Sequence, residues 1–151
     1  MPNQPDLVLY DRSGRLAVMV EVKTKRGTTK EWATQLRRNL LAHDEALLRA
    51  PFFLVVTPDR LYLWKRMKED AGPEPALLPP QFELDARPLF SPYLERAALE
   101  LDQISAQAFE LVVMSWLGDL TRRDSSGQTR LDDSGLPEAA RDGRIAAPIA
   151  A

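Results

Sequence analysis

The sequence predicts an α/β protein, on the basis of three features in its first half. Two runs rich in Val, Leu and Tyr flank the Ser13–Gly14 pair and indicate an antiparallel hairpin over residues 5–23. A helical pattern over residues 29–49 follows, and short apolar runs at 52–57 and 61–65 predict two further strands. The predicted order is therefore strand, strand, helix, strand, strand.

The hairpin is predicted to have one apolar face. A two-residue turn at Ser13–Gly14 places Tyr10 opposite Ala17. Because side chains alternate across a strand, the remaining positions separate into two faces. The predicted core face consists of Leu7, Leu9, Leu16, Val18, Val20 and Val22.

The opposite face carries three charged residues. The same register places Asp6 opposite Glu21, and Lys23 shares their face because it lies two residues further along the strand. Neighbouring carboxylates repel one another and are unfavourable to desolvate, so they need a compensating partner. Two carboxylates with a backbone carbonyl form the oxygen ligand set that magnesium prefers. The alternative is an edge hairpin on which Glu21 and Lys23 are solvated and paired.

The pattern of these residues resembles a known family. Pro5-Asp6, a fourteen-residue spacer and Glu21-Val22-Lys23 are similar to the signature of the PD-(D/E)xK, or restriction-endonuclease-like, nuclease superfamily. The resemblance covers about residues 5–65. It implies a mixed central sheet with flanking helices, and this chain is expected to lack the usual N-terminal core helix, since four residues precede Pro5.

The resemblance also implies an activity, the metal-dependent hydrolysis of DNA phosphodiester bonds by an endonuclease. Asp6, Glu21 and the carbonyl of Val22 would bind Mg²⁺, for which Mn²⁺ could substitute. Lys23 would position the attacking water and stabilise charge in the transition state. Gln35, on the predicted helix, matches a site glutamine of exonuclease-like members, although Asn39 stands where an aromatic residue is usual.

Composition limits the other kinds of site. Cysteine is absent and His43 is the single histidine, so a metal must be held by oxygen ligands. No apolar run is long enough for a membrane helix, and a cytoplasmic protein without a membrane partner is expected.

The two halves of the chain differ in charge. Residues 1–68 contain thirteen basic and seven acidic residues, whereas residues 69–151 contain seven basic and fifteen acidic ones. The basic half holds the motif, as a phosphate-binding surface requires, although segregation of this size also occurs on solvated faces. Five residues are predicted to hold the nucleic-acid backbone by charge: Lys25, Arg26, Lys30, Arg37 and Arg38.

The helix and the strands after it have local signals of their own. Thr28 and Glu31 form a predicted capping box. The helix has an apolar stripe consisting of Trp32, Leu36, Leu40, Leu47 and Leu48. Residues 52–57 are apolar throughout, which predicts a mid-sheet strand, and a turn is predicted at residues 57–60.

The chain is expected to divide into four parts. Residues 1–68 form the nuclease-like core, and residues 69–104 form a proline-rich connection with a short helix. Residues 105–123, capped by Ser105, form a helix that covers the apolar sheet face, and residues 124–151 are a flexible tail. The stripe of the covering helix is Phe109, Val112, Val113, Trp116, Leu117 and Leu120.

Two further functions are consistent with these residues. The chain can be a catalytically inactive or partner-dependent module with the nuclease fold, for nucleic-acid binding or assembly, that works when fused or bound to a motor or recognition subunit. The partners considered, besides nucleic acid, are a second copy of the chain and a larger multisubunit or fused assembly. The expected absence of the first helix favours this alternative. A small structural protein with solvated hairpin charges is the third hypothesis.

Overall fold

The protein is a mixed α/β structure built on one six-stranded sheet. The structure, a computed structural model, describes residues 6–43, 50–66, 78–122 and 129–147. The strands are β1 (Leu7–Tyr10), β2 (Leu16–Val22), β3 (Phe52–Val56), β4 (Arg60–Lys65), β5 (Phe82–Asp85) and β6 (Arg144–Ala146). The α-helices are α1 (Lys30–His43), α2 (Arg87–Ala97), α3 (Ala106–Leu120), α4 (Thr129–Ser134) and α5 (Leu136–Ala140). A short 3₁₀ turn covers Leu101–Gln103.

The sheet has the strand order β5-β4-β3-β2-β1-β6. Strands β2 and β3 are parallel, and α1 connects them; every other neighbouring pair is antiparallel. β3 is buried along its whole length, which confirms the prediction of a mid-sheet strand. The predicted order of strand, strand, helix, strand, strand is also confirmed.

The hairpin register is confirmed over most of its length. Leu7 pairs with Val20 and Leu9 with Val18, but the register shifts after Leu9. Tyr10 therefore pairs with Leu16, and the predicted pair of Tyr10 with Ala17 is wrong.

A hairpin turn that is longer than the predicted two residues explains the shift in register. The Asp11 carboxylate accepts hydrogen bonds from the backbone N–H groups of Ser13 and Arg15, at 2.9 and 3.0 Å. Asp11 thus holds a turn longer than the predicted two residues. Since one extra residue reverses the side-chain alternation, Leu16 packs on the α1 face and Ala17 takes the core position predicted for Leu16.

Helices cover both faces of the sheet. Helix α1 packs on the face that contains Val8, Met19, Phe53 and Trp64. The other face holds the larger core, which includes buried side chains from α2, α3, α4 and α5. Two-sided coverage is what a parallel β2–β3 pair requires, because the side chains of such strands are apolar on both faces.

Helix α1 begins one residue later than the predicted capping box implies. The Thr29 hydroxyl accepts a hydrogen bond from the Trp32 N–H at 3.1 Å, so Thr29 caps the helix. Thr28 instead contacts the Tyr62 hydroxyl at 2.8 Å. Trp32, Leu36 and Leu40 pack against the sheet as predicted. The remaining stripe residues and the predicted end of the helix, at 44–49, lie outside the described residues.

Helix α3 covers the apolar sheet face, as predicted. The Ser105 hydroxyl accepts a hydrogen bond from the Ala108 N–H at 3.1 Å, which confirms the predicted cap. All six residues of the predicted stripe are buried in the core that contains Leu7, Leu9, Val18 and Val20. A large aromatic cluster anchors the helix, since Phe90 of α2 makes edge-on contacts with Phe109 and Trp116.

The predicted connection over residues 69–104 contains a short helix, α2, as expected, but residues 82–85 form the strand β5, which was not predicted. Pro88 lies in the first turn of α2, where a missing N–H is tolerated, and Pro92 lies inside the helix. Residues 69–77 of the predicted connection lie outside the described residues.

The prediction of a flexible tail is also wrong, for residues 129–147. Leu131, Leu136 and Ala140 are buried in the larger core. β6 then pairs with β1 at the sheet edge, opposite residues Val8 to Tyr10. The sheet therefore contains strands from three of the predicted parts of the chain, residues 1–68, 69–104 and 124–151.

Within the described ranges, no helix has the length and apolar character needed to cross a membrane.

Substitution of Gly143 tests the docking of β6. A Cβ atom at Gly143 would overlap the Tyr10 carbonyl oxygen and lie 2.9 Å from that of Ala140. We expect Gly143→Ala to lower the free energy of unfolding by about 1–3 kcal/mol, as overpacking does. Denaturant unfolding followed by circular dichroism measures the change.

Gly118→Ala is the matched control. Apart from its own helix backbone and chain neighbours, no atom of the described residues lies within 4 Å of a Cβ built at Gly118, which is inside α3. This variant should gain up to about 1 kcal/mol from improved helix propensity. An unchanged free energy of unfolding for Gly143→Ala would contradict the pairing of β6 with β1.

Candidate metal-binding site

The predicted site residues lie where β2 ends beside β3. Glu21 is opposite Val55 in the parallel pair, and the Lys23 N–H donates to the Val56 carbonyl at 3.0 Å. Val20 and Val22 belong to the larger core, so Glu21, between them, lies on the α1 face. The carboxyl ends of parallel strands are a common location for ligand sites in α/β proteins.

Asp6 is held against the end of β2. Its Oδ2 atom accepts a hydrogen bond from the Val22 N–H at 2.8 Å. The pairing of Leu7 with Val20 makes Asp6 the cross-strand neighbour of Glu21, as the hairpin register predicted. The two carboxylates thus lie on one face of the sheet.

Glu21 is a buried carboxylate with one charged partner. Its residue is 4% exposed, and its Oε1 atom lies 3.2 Å from the Lys23 ammonium. The Oε2 atom is buried and has no hydrogen-bond partner among the described residues. Such an atom is unfavourable unless another group satisfies it.

The surroundings favour protonated Glu21 in the absence of another ligand. Burial, and then the negative charge of Asp6, raise the pKa of Glu21 to about 7, while Lys23 opposes the shift. A cation between the two carboxylates would reverse this effect. Lys23 itself keeps 42% of its side chain exposed and so can reach a molecule that approaches from solvent.

These residues fit a small divalent cation held by oxygen atoms. The donors are the carboxylates of Asp6 and Glu21, including the unsatisfied Oε2, with the Val22 carbonyl as the third predicted ligand. The described ranges contain no group of three or more Asp, Glu, His or Cys side chains that could hold a metal. Water or substrate oxygens would therefore have to complete the coordination, as is usual for magnesium.

The loop between Lys23 and α1 is fixed by contacts that the sequence did not indicate. The Gly27 N–H donates to Asp59 Oδ2 at 3.3 Å. Arg26 pairs with Asp102 at 3.2 Å and also donates to the Leu101 carbonyl. Asp59, which lies in the confirmed turn at residues 57–60, is thus a positioning residue for the loop beside the site.

Four of the five predicted phosphate-binding residues are exposed, on this loop or on α1. Lys25, Lys30 and Arg38 face solvent, and the Lys25 ammonium also lies 5.6 Å from the centre of the Trp32 ring. Arg26 is exposed but forms its ion pair with Asp102. The structure places four basic residues on this surface.

The prediction that Arg37 holds the nucleic-acid backbone is wrong. Its residue is only 8% exposed, and its guanidinium lies over the rings of Trp64 and Phe53, at 5.3 and 5.8 Å. A side chain buried against two aromatic rings is not available to a phosphate on the α1 surface. The helical pattern assigned it to a polar face because sequence alone did not show how closely Trp64 approaches α1.

Gln35 lies on the exposed side of α1. Its amide donates to Asn39 Oδ1 at 3.3 Å, one turn further along the helix. Within the described part of the chain, it makes no hydrogen bond to the carboxylates or to Lys23. Its role in the site stays a prediction.

In comparisons with known proteins, no protein-family model, curated protein or solved structure matches the chain.

The burial of Glu21 predicts a pH-dependent stability. The ordinary pKa of its carboxyl group is 4.5, and the folded protein raises it to about 7. The folded state therefore holds a proton that the unfolded chain releases over this range. Without divalent cations, stability should fall as pH rises from about 4.5 to about 7, by up to about 3 kcal/mol.

Glu21→Gln should remove this dependence because an amide does not titrate. We expect the variant to match the wild type near pH 4.5 and to exceed its free energy of unfolding at pH 8, in denaturant titrations with a chelator. Glu95→Gln, on the exposed surface of α2, is the matched control and should keep the wild-type slope. A Glu21→Gln protein that also kept the slope would contradict the proposed origin of the shift.

Proposed function

We propose that this protein is a magnesium-dependent nuclease of the PD-(D/E)xK type that hydrolyses phosphodiester bonds in DNA. The observation that carries the proposal is the pair of carboxylates at the end of β2, one of which has a buried oxygen without a hydrogen-bond partner. With Glu21 ionised, a purely structural ion pair with Lys23 would leave this oxygen unsatisfied and would leave Asp6 and Glu21 in mutual repulsion.

The sequence order of the site supports the same proposal. The Asp-bearing strand, the Glu-x-Lys strand, a helix and a parallel returning strand occur in the order that the resemblance implies. The restriction-endonuclease-like topology is part of the proposal; the mixed six-stranded sheet with helices on both faces is consistent with it.

Asp6, Glu21 and the Val22 carbonyl would hold the metal ion. A bound magnesium ion supplies Lewis-acid chemistry, because it polarises a phosphoryl oxygen and neutralises developing negative charge. The chain's own part is to keep the two carboxylates on one face. The Val22 N–H holds Asp6 by a hydrogen bond, and Lys23 holds Glu21 by an ion pair.

Lys23 is the residue proposed to act on the reacting groups. Its ammonium has three donors, and the contact with Glu21 Oε1 uses one of them. The others can orient a water molecule and stabilise the charge that develops on the phosphate. Such a contact becomes stronger in the transition state and therefore raises the rate of the chemical step.

DNA would be held through its phosphates. Lys25, Lys30 and Arg38 are exposed on the loop and helix beside the site, and contacts of this kind carry no sequence information. Mn²⁺ has similar oxygen preferences and is expected to replace Mg²⁺.

Magnesium should stabilise the wild-type protein at pH 8. A ligand that binds only the folded state adds about 2.7 kcal/mol at one hundred times its Kd, which corresponds to several degrees in Tm. Asp6→Asn and Glu21→Gln should abolish the rise in Tm, whereas Lys23→Ala should retain most of it. A thermal shift that persists in both carboxylate variants would place the magnesium elsewhere.

Cleavage assays separate the role of Lys23 from phosphate binding. Lys23→Ala should lower kcat by about 100-fold or more on plasmid and single-stranded DNA, as loss of a transition-state contact does. Lys30→Ala is the matched control, and it should raise KM and reduce the salt dependence while leaving kcat unchanged.

The alternative is a non-catalytic module, in which the acidic pair is vestigial or needs a partner subunit. A wild-type protein that shows neither stabilisation by magnesium nor cleavage of either DNA form would support that alternative against the nuclease. Carboxylate variants that cleave at the wild-type rate would contradict the proposed site itself.

A further inference from the structure

The loop between β2 and α1 is tied to a part of the chain that is distant in sequence. The Arg26 guanidinium lies 3.2 Å from the Asp102 carboxylate, on the 3₁₀ turn at Leu101–Gln103. A second guanidinium nitrogen donates to the Leu101 carbonyl. Arg26 and Asp102 are 76 residues apart. These contacts therefore join the loop beside the proposed metal site to the connection between α2 and α3.

Asp102 is not needed to form the turn or to orient Arg26. Its side chain is 90% exposed, and within the described part of the chain its carboxylate contacts Arg26 alone. A backbone hydrogen bond closes the turn, from the Gln103 N–H to the Glu100 carbonyl at 3.2 Å. The Leu101 carbonyl, which is neutral, also holds the guanidinium. The Asp102 carboxylate can therefore leave Arg26 without loss of the local structure.

Arg26 differs from the other exposed basic residues of this surface. Among the described residues, Lys25, Lys30 and Arg38 form no ion pair with an acidic side chain. Arg26 already binds a carboxylate. Carboxylates and phosphates are alternative ligands of the same planar guanidinium group. A phosphate that approaches Arg26 must therefore compete with Asp102.

We propose that Asp102 masks Arg26 in the free protein and that a phosphate of the DNA backbone displaces it on binding. The contact is thus autoinhibitory, because it withholds one cation from the DNA-binding surface. The inference rests on one part of the proposed function, the binding of DNA to this surface, and does not require cleavage. Ion pairs between exposed side chains are weak, so a phosphate can displace Asp102 with only a several-fold loss of affinity.

The test is the Kd of the full chain for a fluorescein-labelled DNA duplex, measured by fluorescence anisotropy with a chelator present to prevent cleavage. Asp102→Asn should tighten binding about three- to fivefold, as expected when an exposed ion pair no longer has to be broken. Asp102→Ala should give the same gain, because both variants lack the charge. Arg26→Gln should weaken binding, since it removes a phosphate contact.

Glu100→Gln is the matched control. Glu100 is exposed at the start of the same turn and forms no ion pair with a described residue. The substitution removes the same charge without touching Arg26, and it should change the Kd by less than about twofold. A double variant isolates the contact itself. When Arg26→Gln is already present, Asp102→Asn should give no further gain, because no cation remains to be masked.

The outcomes separate this inference from the proposed function. If Arg26→Gln weakens DNA binding but Asp102→Asn does not tighten it, the mask alone is wrong. Equal gains in Glu100→Gln and Asp102→Asn, or a gain that persists beside Arg26→Gln, would also overturn it. If the wild type does not bind DNA, or if Lys30→Ala and Arg26→Gln both bind like the wild type, the proposed DNA surface fails together with the mask.

Discussion

The burial of the Glu21 carboxylate is the constraint on which the candidate metal site depends. β2 lies between β1 and β3, with helices on both faces, so a charge on this strand is surrounded by core. One Glu21 oxygen contacts Lys23, but the other is buried without a partner, and Asp6 adds a second negative charge. An arrangement of this kind is unfavourable unless a cation or a proton satisfies it.

The rest of the fold holds that arrangement in place. The larger core fixes β1 and β2 from one side through α3, and β6 closes the edge of the sheet beside β1. Asp6 therefore remains at the start of a paired strand. On the other side, Asp59 and Tyr62 hold the loop that joins β2 to α1. The basic residues of this loop and of α1 thus have defined positions relative to the carboxylates.

The first half of the fold could be predicted from sequence because its signals are local. Strand alternation and the predicted register of Leu7 with Val20 place Asp6, Glu21 and Lys23 on one face, although the turn is longer than the two residues predicted. The one-residue shift at Tyr10 was missed, since it comes from the Asp11 side chain and not from the apolar pattern. β6 was missed because it has three residues and gains its stability from pairing with β1. Arg37 was misassigned because its burial depends on Trp64, which is distant in sequence.

The most direct test of the central claim is a crystal structure of the protein soaked with Mn²⁺, measured for anomalous scattering. We predict one strong anomalous peak between the carboxylates of Asp6 and Glu21, within about 2.0–2.4 Å of the Glu21 Oε2 atom, as direct coordination requires. A structure in which Glu21 Oε2 instead donates a proton to Asp6, with no peak near either carboxylate at saturating Mn²⁺, would contradict it.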